Sequence, residues 1–150
     1  MGTVTNAGTY VTGSDFSEAL PARSGKQGFE PGDVLVLSDE EAGSLEVAQQ
    51  PNDPRVAGVY SARPGMLGAD KAGESRVDEN DVPVAIVGIV LTKVSAEHGP
   101  IKPGGLLTTA STPGHAMKVP RRPEPGTVLG KALEGLPEGT GVIRVLVTLR

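Results

Sequence analysis

Apolar residues recur at alternate positions in short runs, and Gly and Pro separate the runs. Leu45-Glu46-Val47-Ala48, Ala116-Met117-Lys118-Val119 and residues 140–149 each alternate with a period of two, the signature of strands with one buried face. Val34–Leu37, residues 56–61 and Leu106–Thr109 add further short runs. Residues 82–94 are the most apolar stretch, interrupted by Gly88, and a glycine there marks a bulge or a close backbone approach. Ser38-Asp39-Glu40-Glu41 has the form of a helix capping box. Gly43 and the alternation behind it favour a hairpin instead, with a single helical turn as the lesser option.

A short pattern occurs twice. Phe29-Glu30-Pro31-Gly32-Asp33-Val34-Leu35 is echoed by Ile101-Lys102-Pro103-Gly104-Gly105-Leu106-Leu107, seventy-two positions later. Val56-Ala57-Gly58-Val59 and Val128-Leu129-Gly130-Lys131 keep the same offset. Pro followed by Gly is the type II turn pairing, because Pro presets φ and Gly accepts the positive φ that follows. Pro31-Gly32 and Pro103-Gly104 are therefore read as structural turns, each launching a strand. The pattern predicts an all-β fold, a single-domain barrel or sandwich of about eight to ten short strands built from two related halves. The repeat itself covers residues 29–61 and 101–133. Residues 1–28 are polar and weakly patterned, and they predict an extended N-terminal arm ahead of a β domain at 29–150. A polar excursion at 64–81 is long enough to be a functional loop.

Composition narrows the core. Of 150 residues 37% are hydrophobic, but only Tyr10, Phe16, Phe29 and Tyr60 are aromatic, so the core is expected to be aliphatic. Gly (21) and Pro (13) are frequent, as many short strands require. The formal net charge is −4 with scattered cations, which argues against a nucleic-acid partner, since that needs a basic stripe. Lys118, Arg121 and Arg122 form the tightest basic group and read as a solvated loop. The absence of cysteine removes disulfides and thiolate sites. The longest uncharged apolar stretch, 82–92, is too short to span a bilayer as a helix, and the N-terminus lacks signal-peptide regions; no membrane partner is expected.

Candidate chemistry is sparse. His98 and His115 each sit beside a Gly/Pro turn, too few for a zinc site without carboxylates. Ser111, His115 and an Asp could be assembled as a triad on paper, but no nucleophile elbow accompanies them. Asp39, Glu40 and Glu41 read as a solvated carboxylate run. No cofactor, metal site or catalytic residue is expected from the residues alone.

Gly13-Ser14-Asp15-Phe16-Ser17-Glu18, followed by Pro31-Gly32-Asp33-Val34-Leu35 and later by Val56-Ala57-Gly58-Val59-Tyr60-Ser61-Ala62-Arg63-Pro64, resembles in its order the C-terminal intramolecular chaperone, or autoprocessing, domains of phage tail spikes and pre-neck appendages. The second half, from Val82-Pro83-Val84-Ala85 through Thr112-Pro113-Gly114-His115-Ala116-Met117-Lys118 to Gly130-Lys131-Ala132-Leu133-Glu134, is similar to phage and bacterial proteins that share that front half. The resemblance covers roughly residues 9–150. It implies self-cleavage at Ser14-Asp15 with Glu18 as the assisting acid. Ser17 departs from the small apolar residue usual in that segment. The thirteen residues ahead of Ser14 are also read as no spike to release, so the expectation is a non-enzymatic domain.

The expected function is that of a structural protein of a phage or phage-derived particle, made in the bacterial cytoplasm and displayed on the particle surface. It would associate with itself as a homotrimer and with a major capsid or other particle protein, as a capsid decoration protein or an appendage or fibre domain. Tyr10, Val11 and Phe16 are the candidate assembly residues of the arm, which would add a strand to its partner. The self-cleaving chaperone is the alternative. A receptor- or glycan-binding module comes third, discouraged by the shortage of aromatic residues.

Overall fold

A computed structural model describes residues 14–69 and 78–150. Among them there is no helix. Ten strands follow in order: β1 (Phe16–Pro21), β2 (Val34–Leu37), β3 (Leu45–Val47), β4 (Val56–Tyr60), β5 (Met66–Ala69), β6 (Asp81–Ser95), β7 (Leu106–Thr109), β8 (Ala116–Lys118), β9 (Val128–Ala132) and β10 (Thr140–Thr148). The all-β fold expected from the alternation is what forms. Residues 38–44 make the hairpin turn between β2 and β3, where the Ser38 hydroxyl accepts from the amides of Glu40 (3.2 Å) and Glu41 (3.0 Å). The capping-box residues thus tie a turn rather than start a helix.

The duplication reaches into the hydrogen-bond register. In the first half β2 pairs with β3 and β4, with Val34↔Val59, Leu35↔Gly58 and Val36↔Val56. In the second half β7 pairs with β8 and β9, with Leu106↔Lys131, Leu107↔Gly130 and Thr108↔Val128. Every β2–β4 partner maps onto its β7–β9 counterpart at the same offset of seventy-two, including the register shift after Leu35 and after Leu107. Each bulge leaves one extra residue, Ala57 or Leu129, beside the motif glycine. A Cβ on Gly58 would lie 2.0 Å from the Ala85 carbonyl oxygen, and one on Gly130 would lie 2.1 Å from that of Leu146. Only glycine lets β6 and β10 come alongside.

The repeat extends further than the motifs. β6 pairs with β1 along its first part and with β10 along its second. The first half closes a five-membered ring: β1 to β6, β6 to β4, β4 to β2, β2 to β3, and β3 back to the end of β1 through a parallel Ala22↔Leu45 bridge. The second half closes the same ring: β6 to β10, β10 to β9, β9 to β7, β7 to β8, and β8 back to β6 through parallel Val94↔Ala116. The long strand β6 is therefore the last strand of one ring and the first of the next. Ring one is lined by Ala22, Leu35, Leu45, Val82 and Val84. Their counterparts Val94, Leu107, Ala116, Ile143 and Val145 line ring two. All ten are aliphatic, as the composition required. Val34, Val36, Ala48, Val56, Val59 and Ala85 join the second cluster and seal one half against the other.

Phe16–Pro21, placed in the N-terminal arm from the sequence, forms the strand that starts ring one. The segment reads as polar because its buried positions are held by Asp15, Ser17, Ala19 and Ala22, a hydrogen-bonded pair and two small residues. Tyr10 and Val11 lie outside the described residues. The 64–81 excursion contributes β5, parallel to β1 with Phe16↔Met66 and Glu18↔Gly68.

Candidate functional site

The segment carrying the family resemblance sits where the chain enters ring one. Asp15 is 3% exposed and Ser17 is fully buried. The Ser17 hydroxyl donates to Asp15 Oδ2 at 2.7 Å, while the Asp15 carbonyl accepts from the amides of Gly65 (2.9 Å) and Met66 (3.1 Å). Gly88 makes room for this crossing, since a Cβ there would lie 2.7 Å from Asp15 Cα and 2.8 Å from the Ser14 carbonyl oxygen. The glycine expected to mark a close approach marks this one.

Glu18 is not brought to the Ser14-Asp15 bond. It lies three residues along an extended chain from Asp15, about 10 Å between Cα atoms, and on the face opposite Ser17. Its carboxylate rests instead against Gly68, where an added Cβ would be 2.9 Å from Oε2. The partner of the Asp15 carboxylate is Ser17. That residue was legible in the sequence only as a departure from the family pattern.

Other candidate groups are engaged elsewhere. The Ser111 hydroxyl and amide and the Thr112 hydroxyl (2.7 Å) and amide all donate to Glu97, while His115 Nδ1 faces the Pro113 carbonyl at 2.8 Å. A Ser111–His115 couple is therefore not formed. Burial alone would raise the Glu97 carboxyl, but the four donors outweigh it and bring the pKa down to about 2. Asp39 and Glu40 pair with Arg55 and Arg23. No group of three or more His, Asp or Glu among the described residues is placed to hold a metal ion.

The two Pro-Gly turns do form, with Gly32 at φ +95 and Gly104 at φ +84. Their surroundings differ. At the first turn the Lys93 amide donates to the Gly32 carbonyl (3.0 Å), and Lys93 Nζ reaches Asp33 Oδ1 at 2.8 Å and Glu30 as well. Burial would lower the Lys93 pKa, but its hydrogen bonds to Asp33 and Glu30 leave it raised. A Cβ on Gly104 would meet nothing within 4 Å.

The exposed apolar surface gathers on the outer side of β6 and β10. Val87 (50% exposed), Ile89 (38%) and Leu91 (60%) alternate on β6, and Val142 (59%) lies on β10. The register Thr148↔Val87, Leu146↔Ile89, Arg144↔Leu91 and Val142↔Lys93 puts these side chains on one face of a two-stranded ribbon. Phe16, assigned to the arm from the sequence, is half-buried in β1 with Val87 and Met66 as its strand partners.

No protein-family model and no curated protein matches the chain. A solved phage structure aligns with it. It is the head fiber gp8.5 N base of bacteriophage phi29, similar over 89% of each chain at 18% identity with a TM-score of 0.44.

Proposed function

We propose that the chain is a non-enzymatic structural component of a phage or phage-derived particle. It would stand on the particle surface as a decoration protein or as the base of an appendage or fibre, self-associated as a homotrimer and bound to a major capsid or other particle protein. The phi29 protein aligned above is itself part of a head fiber. Two lines support the reading. The order of motifs from Ser14 to Glu134 resembles phage assembly domains. The polar groups singled out for chemistry are also occupied in holding turns and strands together, as with Ser17 on Asp15 and Ser111 on Glu97.

The observation that carries the proposal is the aliphatic face on the β6–β10 ribbon. Apolar surface concentrated on a rigid element marks an association site rather than a reaction site. The test is co-sedimentation of purified chain with particles assembled without it. Saturable binding at a fixed ratio to the capsid protein is expected. Chain that stays in the supernatant at every concentration overturns the proposal.

A further inference from the structure

Three residues of the first Pro-Gly turn, Glu30, Gly32 and Asp33, touch Lys93, which lies on the part of β6 that belongs to ring two. The offset of seventy-two carries them onto Lys102, Gly104 and Gly105. Those three line a cleft of about 390 Å³, together with buried Ile101 and Leu107 and with Lys118. We propose that this cleft receives an extended acidic segment of another protein, laid across the second turn as β6 is laid across the first. The site follows from the duplication and stands apart from the particle reading.

The first turn shows how such a site is filled. The Lys93 amide donates to the Gly32 carbonyl, Lys93 Cγ lies 3.4 Å from where a Cβ of Gly32 would be, and the ammonium reaches both carboxylates. Gly32 and Asp33 are buried by this crossing. At the second turn the backbone is built alike. The Gly104 amide donates to Ala132 (2.7 Å) as that of Gly32 does to Tyr60 (2.9 Å). The Gly105 amide donates to Lys102 (2.9 Å) as that of Asp33 does to Glu30 (3.1 Å). Yet Gly104 is exposed, and among the described residues nothing donates to its carbonyl. A backbone acceptor held in that position suits the main chain of an added strand, the mode by which extended peptides dock on β proteins.

Charge indicates what the segment carries. Two carboxylates of ring one hold cations: Glu30 pairs with Lys93, and Glu46 lies 3.7 Å from Arg23 Nε. Their counterparts in ring two are Lys102 and Lys118, and neither has a carboxylate partner among the described residues. Gly105 in place of Asp33 removes the remaining negative charge and leaves the space of its side chain open. The sign of the site is inverted, and so is the sign of its complement. Other occupants fit less well. A second copy stacked as ring two stacks on ring one would offer Pro21 at the place of Lys93, with neither an amide hydrogen nor a charge. Residues 1–13 contain no carboxylate, and residues 70–77 carry one cation for each of theirs. Nucleic acid would need a longer basic track than two lysines on a chain of net charge −4.

The experiment is fluorescence anisotropy of a labelled peptide of alternating valine and glutamate, titrated with the purified full chain at low salt. Saturable binding is expected, and none to the matching valine–lysine peptide. Lys102→Glu and Lys118→Glu should each weaken it by about tenfold or more, the loss expected of one charge-assisted contact. Arg63→Glu, which reverses an exposed cation just after β4, should leave it unchanged. Methylating the peptide amides should weaken binding too, because the Gly104 carbonyl then loses its donor. The double variant Lys102→Glu with Gly105→Asp writes the carboxylates of the first turn onto the second, on a backbone that carries both in ring one. It should take the valine–lysine peptide instead. No binding of the glutamate peptide at millimolar protein, or binding that survives both lysine variants, overturns the proposal. Inorganic phosphate competing as well as the peptide, or amide methylation without effect, overturns the added strand. A single-stranded oligonucleotide that binds more tightly than the peptide overturns the choice of partner. Self-association of the wild type by light scattering, abolished by Lys102→Glu, puts a second copy in the cleft and overturns it equally.

Discussion

Gly58→Ala and Gly130→Ala should each come close to unfolding the protein, although each adds one methyl group. At Gly58 the new Cβ would lie 2.0 Å from the Ala85 carbonyl oxygen and 2.9 Å from Val84 Cγ2. An ordinary contact begins near 3.4 Å, so β4 and β6 must separate by more than 1 Å. The pairing there consists of Val59↔Ala85 and Tyr60↔Val84, with contacts at about 2.9 Å expected to stretch beyond hydrogen-bonding range. Losing two or three such bonds at about 1 kcal/mol each, plus the packing of buried Val59 and Ala85, costs about 4–5 kcal/mol. A domain of this size is stable by about 5–15 kcal/mol. In urea, with a slope near 2 kcal/mol/M, the midpoint should fall by about 2 M. Gly43→Ala is the control. Gly43 has φ +80 and open space around it, so only the left-handed backbone penalty of about 1–2 kcal/mol applies. Urea melts followed by circular dichroism distinguish the two. If Gly58→Ala melts within 0.5 M of the wild type with its sheet spectrum intact, the ring closure through β4 and β6 is wrong.

Three further outcomes are expected. Purified protein held for days at neutral pH should keep its full mass of 15.3 kDa by mass spectrometry, with no species beginning at Asp15; Ser17→Ala should leave it uncut and cost about 1–3 kcal/mol by stranding the buried Asp15 carboxylate. Glu97 titrates near 2 when folded against 4.5 when free, so its depressed pKa contributes stability above about pH 4.5 that is lost as pH falls toward 2; at this exposed position about 1 kcal/mol remains after screening, and the melting difference between wild type and Glu97→Gln should shrink over that window. Lys93→Met should lower stability by about 2–4 kcal/mol because it leaves buried Asp33 without its cation, whereas Glu30→Ala, on the exposed side of the same ammonium, should leave the same melts nearly unchanged.

Much of the fold was legible because glycine and proline positions report backbone geometry directly. Pro31-Gly32, Pro103-Gly104, Gly58 and Gly130 fix two turns and two bulges, and their shared offset revealed the duplication before any contact was known. Ring closure was hidden because β1 and the second part of β6 are equivalent only in backbone path. Ser17 and Ile89, or Ala19 and Leu91, occupy matching sites with unrelated side chains. β1 was hidden further by its chemistry, since a buried Asp15–Ser17 hydrogen bond looks like solvated loop in a linear reading. The candidate cleavage segment was legible as a motif, but the placement of Glu18 was not. Strand alternation turns it away from Asp15 only once Phe16 onward is known to be extended. The ribbon face was also missed, because its members alternate along β6 and meet Val142 and Leu146 only through pairing with a strand some fifty residues later.

Sharing one strand between two rings has a consequence for how the chain is made. Once residue 87 has been synthesised, every strand of the first ring exists and that ring can close. The second part of β6, carrying Val90 and Val94 that end up buried, then stands as an unpaired edge until β10 is complete at residue 148. At 5–20 residues per second that wait lasts roughly 3–12 s. Throughout it, nascent chains on neighbouring ribosomes present the same sticky edge to one another. Strand β10 is the one that ends this exposure. A chain truncated before β10 should therefore be recovered as aggregate rather than as a folded first half.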